Sequence, residues 1–217
     1  MRNKPPYADQ HTVQRNRIPS HAPLRAYASK REALSRKLSS LAPPKSAAYT
    51  LPLTPAQWDF RLDASPEQAP EIIYGLGFDT ADFGTIHVPR SWEAAGHGQP
   101  IYLNHRYPFK LDPPRVPADN PVGSYQRHFS LPRAWQNRRT ILVLDGVGSA
   151  CTIYLDGVEV GYSQDSKLPA EFDVTELVAS RPGAEHTLSV RVYRWSDGSY
   201  LEDQDQWWLS GIQRHCW

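Results

Sequence analysis

The stretch CTIYLDGVEVGY, residues 151–162, gives the clearest structural signal in this chain. Two short runs rich in β-branched and apolar residues, Cys151–Leu155 and Val158–Tyr162, flank the dipeptide Asp156-Gly157. Asp-Gly is a preferred pair for a two-residue type I′ turn, whose twist matches that of the strands on either side. The stretch therefore predicts an antiparallel β-hairpin.

Similar short runs, separated by turn residues, continue in both directions from the hairpin. In His186–Trp195, Leu188, Val190 and Val192 alternate with polar positions, which predicts a half-buried strand. The stretch Arg106–Asn120 holds four prolines and predicts a long ordered loop, because proline cannot donate to a strand ladder. Many short strands with few helices favour an all-β fold, an antiparallel β-sandwich of jelly-roll type. The other predicted strands are Asp59–Leu62, Thr85–Val88, Ser124–Leu131 and Thr140–Leu144.

The first 47 residues differ from the rest and predict an extended basic N-terminal arm. Residues 1–45 hold ten Lys and Arg against two acidic residues, while the remainder of the chain is acidic. A basic arm can bind nucleic acid or serve as a targeting segment. We favour an arm that lies on the acidic body or on a partner subunit, since no recognition helix accompanies the charge. Within it, residues 28–41 could form a short helix with Leu34, Leu38 and Leu41 on one face and Ser29 as its cap.

Composition excludes several classes of protein. No window contains the 18 or so uninterrupted apolar residues of a membrane helix, and the polar N-terminus lacks the apolar core of a signal peptide. Cys151 and Cys216 have no evident disulfide pairing, which favours a reducing compartment, and Cys151 is expected to be buried and inert. We therefore expect a cytoplasmic protein that contacts neither membrane nor nucleic acid.

The candidate site lies in RWSDGSYLEDQDQWWLSGI, residues 194–212, where carboxylates and amides are interspersed with aromatic rings. Such a mixture suits a polyol, because the polar groups hold hydroxyls and a flat ring packs on the C–H face of a sugar. Asp203 and Asp205 are two apart, so they could form an acid/base pair or a cation site, or simply bond backbone amides in a turn. Of the consecutive Trp207 and Trp208, one is expected to face the core and the other to turn away.

Several segments resemble, in order, the N-terminal part of the β-galactosidases of glycoside hydrolase family 2. The most specific are LDGVGSACTIYLDGVEVGYSQDSKLPAEFDVT (144–175) and RWSDGSYLEDQDQWWLSGIQR (194–214), and the match also includes NRIPSHAPLRAY (16–27) and IYLNHRYP (101–108). The resemblance covers most of residues 16–214. It implies a galactose-binding-like jelly roll over 48–214 that binds sugar, with an arm over 1–47 that stabilises subunit contacts in a homotetramer.

The resemblance also implies roles for individual residues. Asn104 matches an asparagine that contacts the galactosyl unit. Asp205 matches an aspartate that binds the sugar and helps to bind a sodium ion. The family also uses magnesium, whose ligands are expected outside this chain. The two catalytic glutamates belong to a (β/α)8 barrel, so no catalytic residue is expected here.

Two departures from the family pattern bear on the function. Gln206 replaces a usual methionine, and the chain reads SGIQRHCW where the family continues SGI-aromatic-Arg-Asp-Val, so residues 215–217 form a non-matching tail. We expect a truncated or frameshifted product that does not hydrolyse galactosides such as lactose by itself. The alternatives are a stand-alone weak carbohydrate-binding module and a fragment that complements a truncated β-galactosidase.

Overall fold

The computed structural model describes residues 4–22, 24–35, 48–70, 77–202 and 205–217. Within these ranges the chain is built almost entirely of antiparallel strands. The helices are short: α1 is Lys30–Ser35 and α2 is Thr175–Ala179. The strands are β1 Gln14–Arg15, β2 Ala56–Asp63, β3 Gly84–Val88, β4 Ile101–Tyr102, β5 Val122–Ser130, β6 Ile141–Leu144, β7 Val147–Gly148, β8 Ala150–Leu155, β9 Val158–Ser163, β10 Ala170–Asp173, β11 Glu185–Tyr193, β12 Trp207–Trp208 and β13 Gly211–Ile212.

One large sheet organises the fold. Its seven strands lie in the order β1-β9-β8-β11-β5-β2-β3, and three two-stranded ladders, β10-β6, β12-β4 and β13-β7, pack around it. Every strand that the sequence predicts is present within three residues of its expected bounds. The proline-rich stretch 106–120 is the loop between β4 and β5. The all-β, sandwich-like class is confirmed, while the jelly-roll strand order stays a prediction.

The predicted hairpin over residues 151–162 forms as expected. β8 and β9 pair antiparallel, and Asp156 and Gly157 between them have φ of +52° and +85°. Positive φ at both central residues is the signature of the type I′ turn. The short-range sequence signal is confirmed by the backbone itself.

The central strand β11 differs from its prediction. Leu188, Val190 and Val192 face the main core, as expected, but the alternate residues are buried too. Tyr193 belongs to a second cluster with Tyr7 of the arm, and the two rings stack with centroids 4.3 Å apart. The prediction of a half-buried strand is therefore wrong, because the second face of the sheet is covered partly by the arm.

The arm lies on the body, as expected. β1 adds to the free edge of β9, with Gln14 opposite Ser163 and Arg15 opposite Tyr162. The Arg17 guanidinium donates to Ser163 Oγ (3.2 Å) and to the carbonyl oxygens of Gln164 (3.3 Å) and Pro169 (2.9 Å). An edge strand exposes unpaired backbone groups, and the arm satisfies some of those of β9.

The predicted helix of the arm is confirmed over Lys30–Ser35. Ser29 caps it, because its Oγ accepts from the Glu32 backbone N–H at 3.1 Å. Leu38 and Leu41 lie outside the described residues. Among the residues that the structure describes, none of the helices is long and apolar enough to cross a membrane.

The last residues are part of the fold. Val143 and Trp217 exchange backbone hydrogen bonds (2.8 and 3.0 Å), and the Asp145 N–H donates to the His215 carbonyl at 2.8 Å. Residues 215–217 thus extend the β10-β6 ladder by a third segment. Cys216 in this segment is buried, and so is Cys151 in β8. Burial raises the pKa of Cys151 to about 12, which fits the expectation of an inert thiol.

Candidate functional site

A two-residue ladder brings the two predicted site residues together. β12 pairs antiparallel with β4, which places Trp207 opposite Tyr102. The Tyr102 hydroxyl donates to Asp205 Oδ1 at 2.6 Å and accepts from Asn104 Nδ2 at 3.4 Å. We call Tyr102, Asn104, Asp205 and Trp207 the Asp205 cluster. Sequence analysis selected Asn104 and Asp205 by resemblance but missed Tyr102, which joins them.

The cluster is open to solvent and keeps polar atoms available. Asp205 uses Oδ1 and Asn104 uses Nδ2 in the hydrogen bonds above, so the other carboxylate oxygen and the amide oxygen have no partner among the described residues. The hydrogen bond to Asp205 and its negative charge raise the pKa of Tyr102, which keeps the phenol protonated as a donor. A carboxylate, an amide and a phenol offer both donors and acceptors to the hydroxyls of a ligand.

The two consecutive tryptophans point in opposite directions, as predicted. Trp207 is 54% exposed, and its ring centroid lies 5.5 Å from that of Tyr102. Trp208 packs inward, with its ring 5.3 Å from Trp195 and 6.4 Å from Phe109. Trp207 therefore gives the cluster an exposed aromatic ring, while Trp208 anchors β12 to the body.

The loop that precedes the Asp205 cluster, residues 197–202, is held in place by hydrogen bonds. Residues Asp197–Leu201 form a 3-10 turn capped reciprocally by Ser196 and Ser199. Glu202 accepts from the backbone N–H of Ser166 (2.9 Å) and from its hydroxyl (2.7 Å). Asp203 and Gln204, which come next, lie outside the described residues, so the possible pairing of Asp203 with Asp205 stays a prediction.

The 164–166 turn supports this loop in a way that the sequence did not indicate. Gln164 Nε2 donates to Asp197 Oδ1 at 2.7 Å and to the Tyr162 hydroxyl at 2.8 Å. The contact with Asp197 joins residues 33 positions apart, and no local pattern signals such a pairing.

Buried charges lie behind β12. The Ser210 N–H donates to Glu93 Oε2 at 2.9 Å, and Arg194 Nη2 lies 3.8 Å from Glu93 Oε1. Burial raises the pKa of Glu93, although the Ser210 hydrogen bonds and the Arg194 charge oppose the shift. Arg194 also holds its guanidinium carbon 5.2 Å from the Trp195 ring centroid. These groups fix the backbone just after the two tryptophans and thereby position the cluster.

The described residues contain no group of three or more His, Cys, Asp or Glu side chains that could hold a metal ion. Asp205 and Asn104 do supply oxygen atoms, the kind of ligand that hard cations take. The donor set fits a sodium ion in kind, but a complete shell would need further oxygens.

Comparison with known proteins identifies the family. The sequence profile described as "Glycosyl hydrolases family 2, sugar binding domain" matches residues 54–217. The chain is 46% identical over 205 residues to a β-galactosidase of Psychromonas ingrahamii, covering 94% of this chain and 18% of that protein. It is 51% identical over 160 residues to a β-galactosidase of Vibrio vulnificus, covering 73% of this chain and 15% of that protein.

A solved β-glucuronidase 2 of Bacteroides uniformis shares the fold, with a TM-score of 0.55 and 22% identity over 76% of this chain and 17% of that one. The chain thus spans less than a fifth of the length of these relatives. Both the match over residues 54–217 and the identity to these relatives show that the chain belongs to glycosyl hydrolase family 2, whose sugar-binding domain it contains.

Proposed function

We propose that this chain is the sugar-binding portion of a β-galactosidase and that its Asp205 cluster holds the terminal β-D-galactosyl unit of substrates such as lactose. Alone, the chain binds sugar weakly and does not hydrolyse it. The complete enzyme joins this portion to the catalytic barrel and assembles into a homotetramer.

The observation that carries the proposal is the contact of Asn104 and Asp205 through Tyr102, beside the exposed ring of Trp207. Two residues that the family resemblance assigns to the sugar meet across 101 positions of sequence, at a surface with the chemistry of a polyol site. The named β-galactosidases among the relatives support the galactosyl unit as the ligand.

Hydrolysis requires groups beyond this cluster. A retaining glycosidase needs two carboxyl groups about 5 Å apart, one as nucleophile and one as acid/base. By the resemblance both are glutamates of the barrel, and Asp205 serves the substrate instead. We assign to Asp205 the further role of a sodium ligand in the complete enzyme, where residues from elsewhere fill the coordination shell.

The exposed surface around the cluster favours a second candidate, a fragment that complements a β-galactosidase lacking this portion. Tyr102 and Trp207 are about half exposed, and Leu201 on the neighbouring loop is 86% exposed. Exposed apolar side chains of this kind are typical of a surface that another protein covers. A separate polypeptide carrying the barrel could supply that cover.

One experiment addresses both candidates. The purified chain is assayed with o-nitrophenyl β-D-galactopyranoside alone and after mixing with a β-galactosidase from which the matching portion has been deleted. We expect no turnover alone and turnover in the mixture. Asp205→Asn should lower kcat/KM of the mixture by about ten- to a hundredfold, the cost of weakening a charge-assisted hydrogen bond.

Asp173→Asn provides the matched control. Asp173, the last residue of β10, forms an ion pair with Arg139 and takes no part in the Asp205 cluster. Its mixture should match that of the unaltered chain. If the chain alone hydrolyses the substrate and Asp205→Asn abolishes this turnover, the proposal that the catalytic groups lie outside this chain is contradicted. Failure of the mixture to regain activity would exclude the complementing role.

A further inference from the structure

A cavity of about 520 Å³ lies between the arm and the C-terminal segment, residues 215–217. Its volume falls within the range of about 300–1,000 Å³ that is usual for small-molecule sites. None of its lining residues belongs to the Asp205 cluster.

Its floor is a fixed piece of backbone. Val143 and Trp217 exchange backbone hydrogen bonds, and Trp217 Nε1 donates to Asp145 Oδ1 at 3.4 Å. Trp217 lines the cavity and is held at both its backbone and its indole N–H. An indole so fixed is a platform for the C–H face of a ring-shaped ligand.

The opposite wall is the docked arm. The Ile18 N–H donates to the Glu171 carbonyl at 2.8 Å, and the His21 ring contacts Glu171 Oε2 (3.0 Å) and the Ala22 carbonyl (2.8 Å). These contacts hold residues 18–22 against β10. The cavity therefore has walls from two parts of the chain far apart in sequence, both fixed by hydrogen bonds.

The charges in the cavity are matched. Asp145 faces the guanidinium groups of Arg25 and Arg214 and the ring of His215, while Glu171 faces His21. Burial raises the pKa of Asp145, and these neighbours oppose the shift. An anion would have to compete with the two carboxylates already present, so the balance favours an uncharged ligand that uses the same groups as hydrogen-bond donors and acceptors.

We propose that this cavity is a second carbohydrate site, which takes one neutral pyranose unit with its C–H face on Trp217 and its hydroxyls on Asp145 and the flanking cationic side chains. The site is separate from the Asp205 cluster and does not depend on the function proposed for it.

The test uses the indole N–H of Trp217, identified in the nitrogen–proton NMR spectrum of the 217-residue chain by its loss in Trp217→Phe. Methyl β-D-galactopyranoside and methyl β-D-glucopyranoside are titrated, alongside the anion methyl β-D-galactopyranosiduronate. We expect at least one neutral glycoside to move the Trp217 signal saturably in the millimolar range. Arg25→Gln, on the arm, should weaken this binding by about fivefold or more.

Asp205→Asn separates the two sites, since it removes the carboxylate of the Asp205 cluster and should leave the Trp217 response unchanged. The proposal is overturned if no neutral glycoside moves the Trp217 signal saturably. Tighter binding of the uronide than of either neutral sugar overturns it as well, because the cavity would then be an anion site. Loss of the Trp217 response in Asp205→Asn would show that only one site exists.

Discussion

Asp156 is both a turn residue of the hairpin and a buried charged residue. Its Oδ2 lies 2.6 Å from His186 Nδ1 and 3.0 Å from Arg181 Nη1, and its Oδ1 accepts from the Thr187 N–H at 2.8 Å. The Asp-Gly pair predicts the turn. The sequence does not predict the charge network, because His186 and Arg181 contact Asp156 only when β11 lies beside β8.

The network predicts how stability depends on pH. Burial alone would raise the pKa of Asp156, but the hydrogen bonds from His186 and Thr187 and the nearby positive charges outweigh it and hold the pKa below its usual range. A carboxyl whose pKa is lowered by folding stabilises the fold above its unfolded pKa, near 4. That contribution is lost as pH falls through the lower folded value.

Asp156→Asn tests this at constant turn geometry, because asparagine also adopts positive φ readily. We expect the variant to lose about 1–3 kcal/mol of unfolding free energy at pH 7. It should also lose less stability than the unaltered chain on acidification below about pH 4. Urea denaturation at a series of pH values measures both effects.

Asp173→Asn is the control at this scale. The pKa of Asp173 is also lowered, through hydrogen bonds from Thr175 and Arg139, but its side chain is 41% exposed. Its replacement should cost clearly less, since exposed pairs contribute little. Equal losses in the two variants would show that burial does not set the strength of the Asp156 network.

Tyr102 shows the limit of residue-level prediction within the site. Asn104 and Asp205 were selected by their match to a family pattern, whereas Tyr102 carries no signal of its own in the sequence. Its importance follows from the β4-β12 ladder, which places it opposite Trp207. Strands β4 and β12 have only two residues each and Tyr102 and Trp207 lie 105 positions apart, so strand propensity does not predict their pairing.

At the scale of elements, the arm completes the large sheet. β1 covers the edge of β9, and Gly161 in β9 lies directly beneath it. A Cβ at Gly161 would meet the Arg15 carbonyl oxygen at 2.3 Å, far inside contact distance. The sequence predicted an arm that lies on the body, but not which edge it would cover, because two residues of strand leave no periodic pattern.

Gly161→Ala should therefore loosen the arm. We expect faster amide hydrogen exchange at Ile18 and Gln164, whose N–H groups donate to Glu171 and Val13 across the arm contact. Amides in the β5-β11 ladder at the centre of the sheet should exchange more nearly as before. Mass spectrometry of peptides from the exchanged protein provides the measurement.

Gly183→Ala makes a useful comparison, because Gly183 lies in the turn before β11 and nothing stands within 4 Å of the added Cβ. It has a positive φ of +75°, so the variant carries a backbone cost without a contact to the arm. Unchanged exchange at Ile18 in Gly161→Ala would mean that the arm does not rest on β9 in solution.

At the scale of the whole molecule, hydrophobic alternation and turn chemistry were enough to predict the all-β class. They failed at β11, where the predicted solvent face is covered by Tyr7 of the arm and by Ala69. Burial of a second face depends on what packs there, and a strand cannot encode that in its own alternation. The cavity beside Trp217 could not be predicted for the same reason, because two segments distant in sequence form it together.

A titration of the chain with methyl β-D-galactopyranoside tests whether the Asp205 cluster binds a galactoside, with NMR following the Trp207 indole N–H and the Asn104 side-chain amide. We expect both signals to move together and to saturate. Asp205→Asn should abolish both movements, and Asp173→Asn should preserve them. If neither signal moves, or if both move equally in Asp205→Asn, the Asp205 cluster is not a galactoside site.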